Sequence, residues 1–271
     1  MDVDGLHTGV DRCAYRKSSS ASAQLPISSN KMDPEIPASE SNSCQIDNAI
    51  MTPELFVSLM NQFYHKGWMV GSSGGMAVEQ DNLIYYSPSS VQKERLRGCD
   101  LFVFDNEKLE LVRRPPNGKI KESACTPLFN HILNTVAGSH CVIHTHSKWA
   151  NVITVLTKGR NFEISHQEMI KGVFNPLTWK AYSYSDRLVI PIIENKPTED
   201  QLLPDLIDTL LEHKGAPAVL VRNHGLFVWG PTWEKTKIMT ECLEYLFELS
   251  CELIKHGIPL CDEHLCGDDV Q

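Results

Sequence analysis

The segment from residue 218 to residue 230, AVLVRNHGLFVWG, contains two apolar runs on either side of Asn223-His224-Gly225. Asn and Gly tolerate the left-handed backbone of tight turns, so this pattern predicts a strand, a turn and a second strand. His224 then lies at the ends of two strands, where binding residues often gather. A histidine that only tolerates the turn conformation is the alternative interpretation.

Helices and strands are interleaved along the rest of the chain. A helix is predicted to begin with Thr52 as N-cap and Pro53 in its first turn, and to stop at Gly67. Further strands are predicted at residues 83–86, 101–104, 109–112, 141–146 and 188–193. Further helices are predicted at residues 126–136, 147–157, 204–214 and 231–256. Because the two element types do not alternate strictly, the order predicts one mixed sheet between helices, an α/β/α sandwich.

Composition limits the partners and the location of the chain. Its 271 residues carry a formal net charge of −9, and no long basic run is present, which argues against nucleic acid as a partner. No apolar stretch has the length of a membrane span, and the N-terminus lacks the apolar core of a secretory signal, so a cytoplasmic location is expected. The nine cysteines have irregular spacing, which argues against a disulfide framework or a Cys-rich zinc module.

The two ends of the chain differ in composition from its middle. Residues 1–48 are rich in Ser, Ala, Pro, Asp and Asn and have few apolar residues, which predicts a disordered tail. The folded domain is expected to span residues 49–258, with a short C-terminal tail at residues 259–271.

Two histidines lie one residue apart in the apolar stretch CVIHTHS, residues 141–147. Side chains two apart on a strand point to the same side, so His144 and His146 present their rings together. Neutral imidazoles are good ligands for zinc, and a catalytic zinc needs a third protein ligand, for which His224 and His166 are candidates. The spacing alone is equally consistent with histidines that are hydrogen-bonded at a sheet edge.

Other polar residues near these histidines are candidates for chemistry. Glu168, in SHQEM, has the carboxylate of a general acid/base, although a solvated glutamate is the more common case. Cys125, in ESACTPLF, is a candidate substrate contact or nucleophile, although a buried structural cysteine is the more common case. Lys93 and Arg95 add positive charge near the Ser-Pro-Ser-Ser loop at residues 87–90, and we expect them on a solvated face.

Two loops of small residues precede the histidines in the chain. Such loops expose backbone N–H groups and hydroxyls that bind phosphate, although plain turns have the same composition. Neither loop has a Walker or Rossmann pattern. The candidate phosphate contacts in the two loops are Ser72, Ser73, Gly74, Ser89 and Ser90.

The motifs follow one another in a recognisable order: a Gly-rich loop, SPSSVQKE, SACTPLF, VIHTHSK, HQEMIKG, PIIEN, VLVRNHGLFVWG and TWEKTK. From about residue 52 to residue 256 the chain resembles the methylthioribulose-1-phosphate dehydratase family of the class II aldolase-like superfamily. The resemblance implies a three-layer sandwich whose central sheet is mainly antiparallel. It also implies dehydration of 5-methylthioribulose 1-phosphate, a small sugar phosphate, in methionine salvage, and a homotetramer with active sites near subunit contacts.

The resemblance also assigns roles to single residues. It implies one zinc ion per subunit, held by His144, His146 and His224. Glu168 matches the family's proton donor and acceptor, and Cys125 matches a substrate-contacting cysteine. Zinc would act as a Lewis acid at the C2 and C3 oxygens, while Glu168 would take the C3 proton and protonate the departing C4 hydroxyl.

Other activities on the same fold are alternatives. Aldolases of the superfamily carry a catalytic glutamate shortly before the H-x-H strand, where this chain has Cys125 after Glu122-Ser123-Ala124, which favours dehydration. An epimerase acting on another sugar phosphate and a non-catalytic interaction protein are the further alternatives. The sequence leaves open a protein partner beyond the substrate.

Two positions depart from the family pattern. Ser73 and Ser90 stand where glycine is common in the two loops. Each adds a Cβ where the backbone must approach phosphate or take a positive φ. Since serine still offers a hydroxyl, we expect a modest change in phosphate affinity.

Overall fold

The computed structural model describes residues 50–108 and 110–261. The predicted N-terminal tail, residue 109 and most of the predicted C-terminal tail lie outside the described residues. The helices are α1 Pro53–His65, α2 Thr126–Thr135, α3 Lys148–Leu156, α4 Leu203–Glu212 and α5 Trp233–Lys255. Short 3-10 helices span Lys93–Arg95, Gly98–Asp100, Glu168–Gly172 and Glu199–Leu202.

The strands are short, and most of them belong to one sheet. They are β1 Gly75–Gln80, β2 Leu83–Tyr86, β3 Pro88–Ser89, β4 Phe102–Asp105, β5 Leu111–Arg113, β6 Lys121–Glu122, β7 Cys141–Thr145, β8 Asn161–Ile164, β9 Phe174–Asn175, β10 Lys180–Ala181, β11 Leu188–Ile193, β12 Ala218–Val221 and β13 Gly225–Gly230. The strand order in the nine-stranded sheet is β5-β4-β2-β1-β7-β13-β12-β11-β8. Every pair in it is antiparallel except β11 with β12, which confirms a mixed, mainly antiparallel sheet.

Helices cover both faces of this sheet, which confirms the three-layer arrangement. Because side chains alternate along a strand, β7 sends Val142 to one face and Ile143 to the other. On the first face Val142 packs in a cluster with buried residues of α2 and α4, including Phe129 and Leu206. On the opposite face Ile143 packs with buried residues of α1, and the neighbouring strands pack against α3 and α5. Strand β7 is therefore buried on both sides.

The predicted first helix forms as its N-terminal residues indicate. The hydroxyl of Thr52 accepts a hydrogen bond from the backbone N–H of Leu55 at 3.1 Å, and Pro53 occupies the first turn. Gly67 follows the helix with a φ of +77°, a conformation that favours glycine. Phe56 and Phe63 are among the residues that α1 buries.

Several sequence-based expectations were wrong or incomplete. The sequence patterns do not predict the central strand β1, because a Gly-rich loop precedes it and its last residues are polar, and they do not predict β8 either. Gly225 begins strand β13 instead of forming the turn, which residues 222–224 make. Asn223 does take a left-handed φ of +54°.

None of the helices in the described part of the chain combines the length and apolar character that crossing a bilayer requires.

Candidate metal centre and adjoining cavity

The end of β7 and the β12–β13 hairpin bring three histidines together. The Nε2 atom of His146 lies 2.8 Å from Nε2 of His144 and 2.8 Å from Nε2 of His224. The ligand atoms of all three residues lie within 4.8 Å of one another. His224 is thus the third member of the group. The rival His166 instead lies beside Ser165 and near the Tyr184 ring, outside the group.

Hydrogen bonds on the far side of the rings orient two of these histidines. Nδ1 of His144 lies 3.0 Å from the carbonyl oxygen of Leu226, and Nδ1 of His224 lies 3.0 Å from Oδ1 of Asn195. An Nδ1–H that donates to these oxygens leaves a lone pair on each Nε2. Because these lone pairs face one another across His146, a single cation between the rings would satisfy them. The donor set therefore fits a metal ion such as zinc.

The histidines are neutral at physiological pH. Burial, followed by the neighbouring histidines, lowers the pKa of His144 well below its ordinary value. Burial also lowers the pKa of His146, to about 3, with further lowering by His224 and Lys93. The pKa of His224 is lowered by burial, and Glu199 opposes this effect. Neutral imidazoles need not lose a proton before they bind a metal ion.

A buried carboxylate holds the back of the histidine segment. Thr145 and Ser147 alternate with the histidines and point to the opposite side, where the Thr145 hydroxyl donates to Glu244 of α5 at 2.6 Å. The Ser147 hydroxyl donates to the other carboxylate oxygen, and it also accepts from the N–H of Ala150 as the N-cap of α3. Burial raises the pKa of Glu244 to about 7. Helix α5 thereby fixes the position of the segment that carries His144 and His146.

The turn that carries His224 is anchored to the end of α3. The Arg222 guanidinium donates to the carbonyl oxygens of Thr154, Thr157 and Gly159, and the N–H of Asn223 donates to the Thr154 hydroxyl. At Gly225, a Cβ atom would lie 1.9 Å from the carbonyl oxygen of Thr145. The approach of β13 to β7 therefore requires glycine at this position.

A small cavity joins the histidines to both of the loops predicted to bind phosphate. Its volume is about 60 Å³. The loop residues Ser72, Ser73, Gly74 and Ser89 line it together with Cys125, His144, His146 and Glu199. Ser90 is not among these lining residues, although its hydroxyl lies 3.3 Å from that of Ser89. The fold thus brings the serine loops, Cys125 and two of the histidines together.

The thiol of Cys125 is protonated in this environment. Burial, followed by the charge of Glu199, raises its pKa to about 12. A thiolate is the nucleophilic form of cysteine, so a thiol with this pKa is suited to contact and not to attack. The geometry favours the prediction of a substrate contact over that of a nucleophile.

The two serines that replace glycine differ in backbone conformation. Ser90 has a φ of +58°, in the left-handed region where glycine is preferred. Ser73 is not among the described residues with positive φ, and its hydroxyl donates to the carbonyl oxygen of Val70 at 2.7 Å. Gly74 has a φ of +69°, and a Cβ there would lie 2.8 Å from the carbonyl oxygen of His144. Serine is therefore strained at position 90 and accommodated at position 73.

The expectation that Lys93 lies on a solvated face was wrong. Its side chain is fully buried, and Nζ donates to the carbonyl oxygens of Ser72 and Val91, each at 3.0 Å. Arg95 is exposed, as expected, with a guanidinium contact of 3.3 Å to Gln92. The loop that follows β2 folds the Lys93 side chain inward. Its burial could not be predicted, because a charged residue in a polar stretch of sequence is usually exposed.

Glu168 and Glu199 occupy unequal positions relative to the histidines. Glu168 is largely exposed, pairs with Lys171 at 2.8 Å and does not line the cavities that adjoin the histidines. Glu199, which no sequence pattern predicts as a site residue, lines the cavity that contains Cys125. It also lines a second cavity, of about 390 Å³, with His146 and His224. It follows Thr198 in a polar stretch without periodicity, so no sequence signal identifies it.

The chain is similar to known proteins over most of its length. Residues 54–251 match the Class II Aldolase and Adducin N-terminal domain. A "Probable methylthioribulose-1-phosphate dehydratase" of Caenorhabditis elegans is 54% identical over 217 residues, 80% of this chain and 82% of the relative. The methylthioribulose-1-phosphate dehydratase of Homo sapiens is 46% identical over 204 residues, 75% of this chain and 84% of the relative. Among solved structures, an L-fuculose 1-phosphate aldolase has the same fold, with a TM-score of 0.61 at 16% identity over 79% of this chain and 92% of that chain.

Proposed function

The chain belongs to the methylthioribulose-1-phosphate dehydratases of the class II aldolase and adducin family, and we propose that it dehydrates 5-methylthioribulose 1-phosphate. The product would be 2,3-diketo-5-methylthiopentyl 1-phosphate, an intermediate of methionine salvage. We also propose a cytoplasmic location for this reaction. The observation that carries the proposal is the convergence of three histidines beside a cavity lined by two serine-containing loops.

The histidines would hold one zinc ion per subunit. Their neutral rings and converging Nε2 atoms fit this ion, and the oxygen contacts at Nδ1 of His144 and His224 would keep two rings in the required orientation. When bound, zinc supplies a Lewis acid that polarises substrate oxygens and so acidifies the neighbouring C–H bond. With three protein ligands, such an ion would remain accessible to substrate.

The loop residues would bind the phosphate group. Ser72, Ser73 and Ser89 line the cavity next to His144 and His146, and loops of small residues bind phosphate through hydroxyls and backbone N–H groups. Cys125, as a protonated thiol, would contact the sugar between the phosphate and the histidines. Dehydration then removes the C3 proton and the C4 hydroxyl, and ketonisation of the resulting enol adds a proton at C4.

We propose that Glu168 moves these protons and reaches the histidines of a neighbouring subunit in a homotetramer. Its side chain is 74% exposed and Lys171 is its ion-pair partner among the described residues, so a second subunit can approach it. Within its own chain, Glu168 lies outside the cavities at the histidines. If Glu168 completes the site of a neighbouring subunit, both its exposure and its position outside the cavities of its own chain are explained.

Metal content and activity test the dehydratase proposal. We expect about one zinc per chain by elemental analysis, and dehydration of 5-methylthioribulose 1-phosphate that is lost on chelation and restored by zinc. Zinc binding without dehydration would favour an aldolase or epimerase acting on another sugar phosphate. A protein that binds no metal would contradict the proposal.

Subunit mixing tests the role of Glu168. Glu168→Gln and His146→Ala variants should each be inactive, and Glu168→Gln should retain its zinc. If the two groups come from different subunits, mixed tetramers regain part of the activity, since some sites then have intact histidines and an intact glutamate. Full activity of zinc-loaded Glu168→Gln would exclude the role. Mixed tetramers that stay inactive would exclude the placement across subunits.

A further inference from the structure

The buried Lys93 side chain connects the two loops that line the cavity. The residue begins the 3-10 helix Lys93–Arg95, directly after the loop that contains Ser89 and Ser90. Its ammonium donates to the Ser72 carbonyl of the first loop and to the Val91 carbonyl of the second, each at 3.0 Å. One side chain therefore sets the spacing of both loops.

The charge of Lys93 has no ionic partner among the described residues. Its two hydrogen bonds go to neutral carbonyl groups, and no carboxylate lies within ion-pair distance of it. The charge of Lys93 interacts with Cys125, whose thiol is protonated, and more weakly with Glu94, which is not in ion-pair contact with it. Burial lowers the pKa of Lys93 to about 8, so the group remains largely protonated at neutral pH. A buried cation that has no carboxylate in ion-pair contact is costly, and a bound anion nearby would reduce this cost.

The field of this cation reaches the cavity. The positive charge of Lys93 contributes to the lowered pKa values of His144 and His146, two of the residues that line the cavity. Lys93 itself lies behind the Ser72 carbonyl and is not a lining residue. Glu199 lines the same cavity, but no described carboxylate is in ion-pair contact with this ammonium, so a bound anion at the loops would add negative charge close to Lys93.

We propose that Lys93 is the positioning residue that makes the two serine loops specific for a phosphate monoester. Its fixed charge would favour the phosphate dianion at the loops, and its two hydrogen bonds would hold the loops at the spacing that the phosphate oxygens require. This inference rests on the proposed function, because it names the residue that selects the phosphorylated form of that substrate.

The test compares phosphorylated and unphosphorylated substrate. Lys93→Gln retains an amide that donates to the carbonyls but removes the charge, and Lys108→Gln removes an exposed charge in the turn between β4 and β5. We expect Lys93→Gln to raise the KM for 5-methylthioribulose 1-phosphate and the inhibition constant of inorganic phosphate by about tenfold or more. The kcat/KM for unphosphorylated 5-methylthioribulose should change less than about threefold, and Lys108→Gln should resemble wild type.

Equal decreases in kcat/KM for the phosphorylated and the unphosphorylated substrate would mean that Lys93 only supports the loops, which would overturn the proposal. An unchanged inhibition constant of inorganic phosphate would overturn it as well. If Lys93→Gln fails to fold, the wild-type protein provides the measurement. Inorganic phosphate should shift the NMR signal of the Lys93 ammonium saturably, and no shift at saturation would overturn the proposal. Phosphate binding is measured without turnover, so this inference can fail or succeed independently of the dehydratase proposal.

Discussion

The two halves of the candidate site are built by different means. The histidine half lies on β7 and the β12–β13 hairpin, in the middle of the sheet, and further hydrogen bonds fix its rings and its turn. The loop half consists of the segments around Ser72 and Ser89, which are joined through Lys93. Strand pairing determines the positions of the residues in the histidine half, whereas the single buried side chain of Lys93 connects the two segments of the loop half.

This difference indicates how each half tolerates change. A metal ion needs ligands within a few tenths of an ångström of ideal distances, which the sheet centre can maintain. Phosphate is held by backbone N–H groups and hydroxyls, and small residues in loops can provide these with some variation. Substitutions in the histidine half should therefore have large effects, and those in the loop half should have smaller ones.

Loss of a ligand should have the largest effect. His146→Ala removes the central ring of the group, so we expect loss of stoichiometric zinc and a decrease in kcat/KM of about 10³-fold or more. His166→Ala is the matched control, because His166 lies outside the group. Elemental analysis should find zinc retained in the control. Loss of zinc from His166→Ala would contradict the assignment of His224 as the third ligand.

Separation of β7 from β13 should have the next largest effect. Gly225→Ala places a Cβ against the Thr145 carbonyl, so one strand must shift, and we expect a decrease of about 3 kcal/mol in the free energy of unfolding. Urea denaturation measures this change. Gly118→Ala is the control, since a Cβ there meets no atom within 4 Å. Similar stabilities for the two variants would show that the histidine half is less rigid than its strand pairing indicates.

The buried Glu244 should make stability depend on pH. Its folded-state pKa of about 7 exceeds the ordinary value of 4.5, so the folded protein binds an extra proton between these values. This contribution to stability is fully present below about pH 4.5 and is lost as the pH rises through about 7. Between pH 5 and pH 8, wild type should therefore lose about 2–3 kcal/mol of unfolding free energy relative to Glu244→Gln.

The exposed Glu252 provides the control for this measurement. Glu252→Gln removes a carboxylate that pairs with Lys255 at the surface, so its difference from wild type should stay nearly constant over the same pH range. Denaturation curves at matched pH values give both differences. A flat difference for Glu244→Gln would show that the Thr145 and Ser147 hydroxyls stabilise the ionised carboxylate at least as much as burial destabilises it.

The two halves also differ in how far the sequence predicts them. The H-x-H spacing predicts two side chains on one side of a strand, and the Asn-His-Gly pattern predicts the turn, because both depend on local periodicity. The position of β1 between β2 and β7 depends on pairing with distant residues, which local patterns do not contain. Burial of Lys93 and the position of Glu199 likewise depend on how separate loops pack together. The proposed substrate follows from the resemblance and not from the spacing of residues.

The smallest predicted effects come from the two serines at glycine positions, and they should have opposite signs. Ser90→Gly relieves a left-handed φ of +58° but makes the unfolded chain more flexible, so we expect a gain in stability of about 0.5 kcal/mol. Ser73→Gly removes the hydrogen bond to Val70 without relieving a positive φ, so we expect a loss of about 1 kcal/mol. Urea denaturation of both variants measures this contrast. Changes of the same sign would mean that the loop half responds to its glycine content as a whole and not to the conformation of each residue.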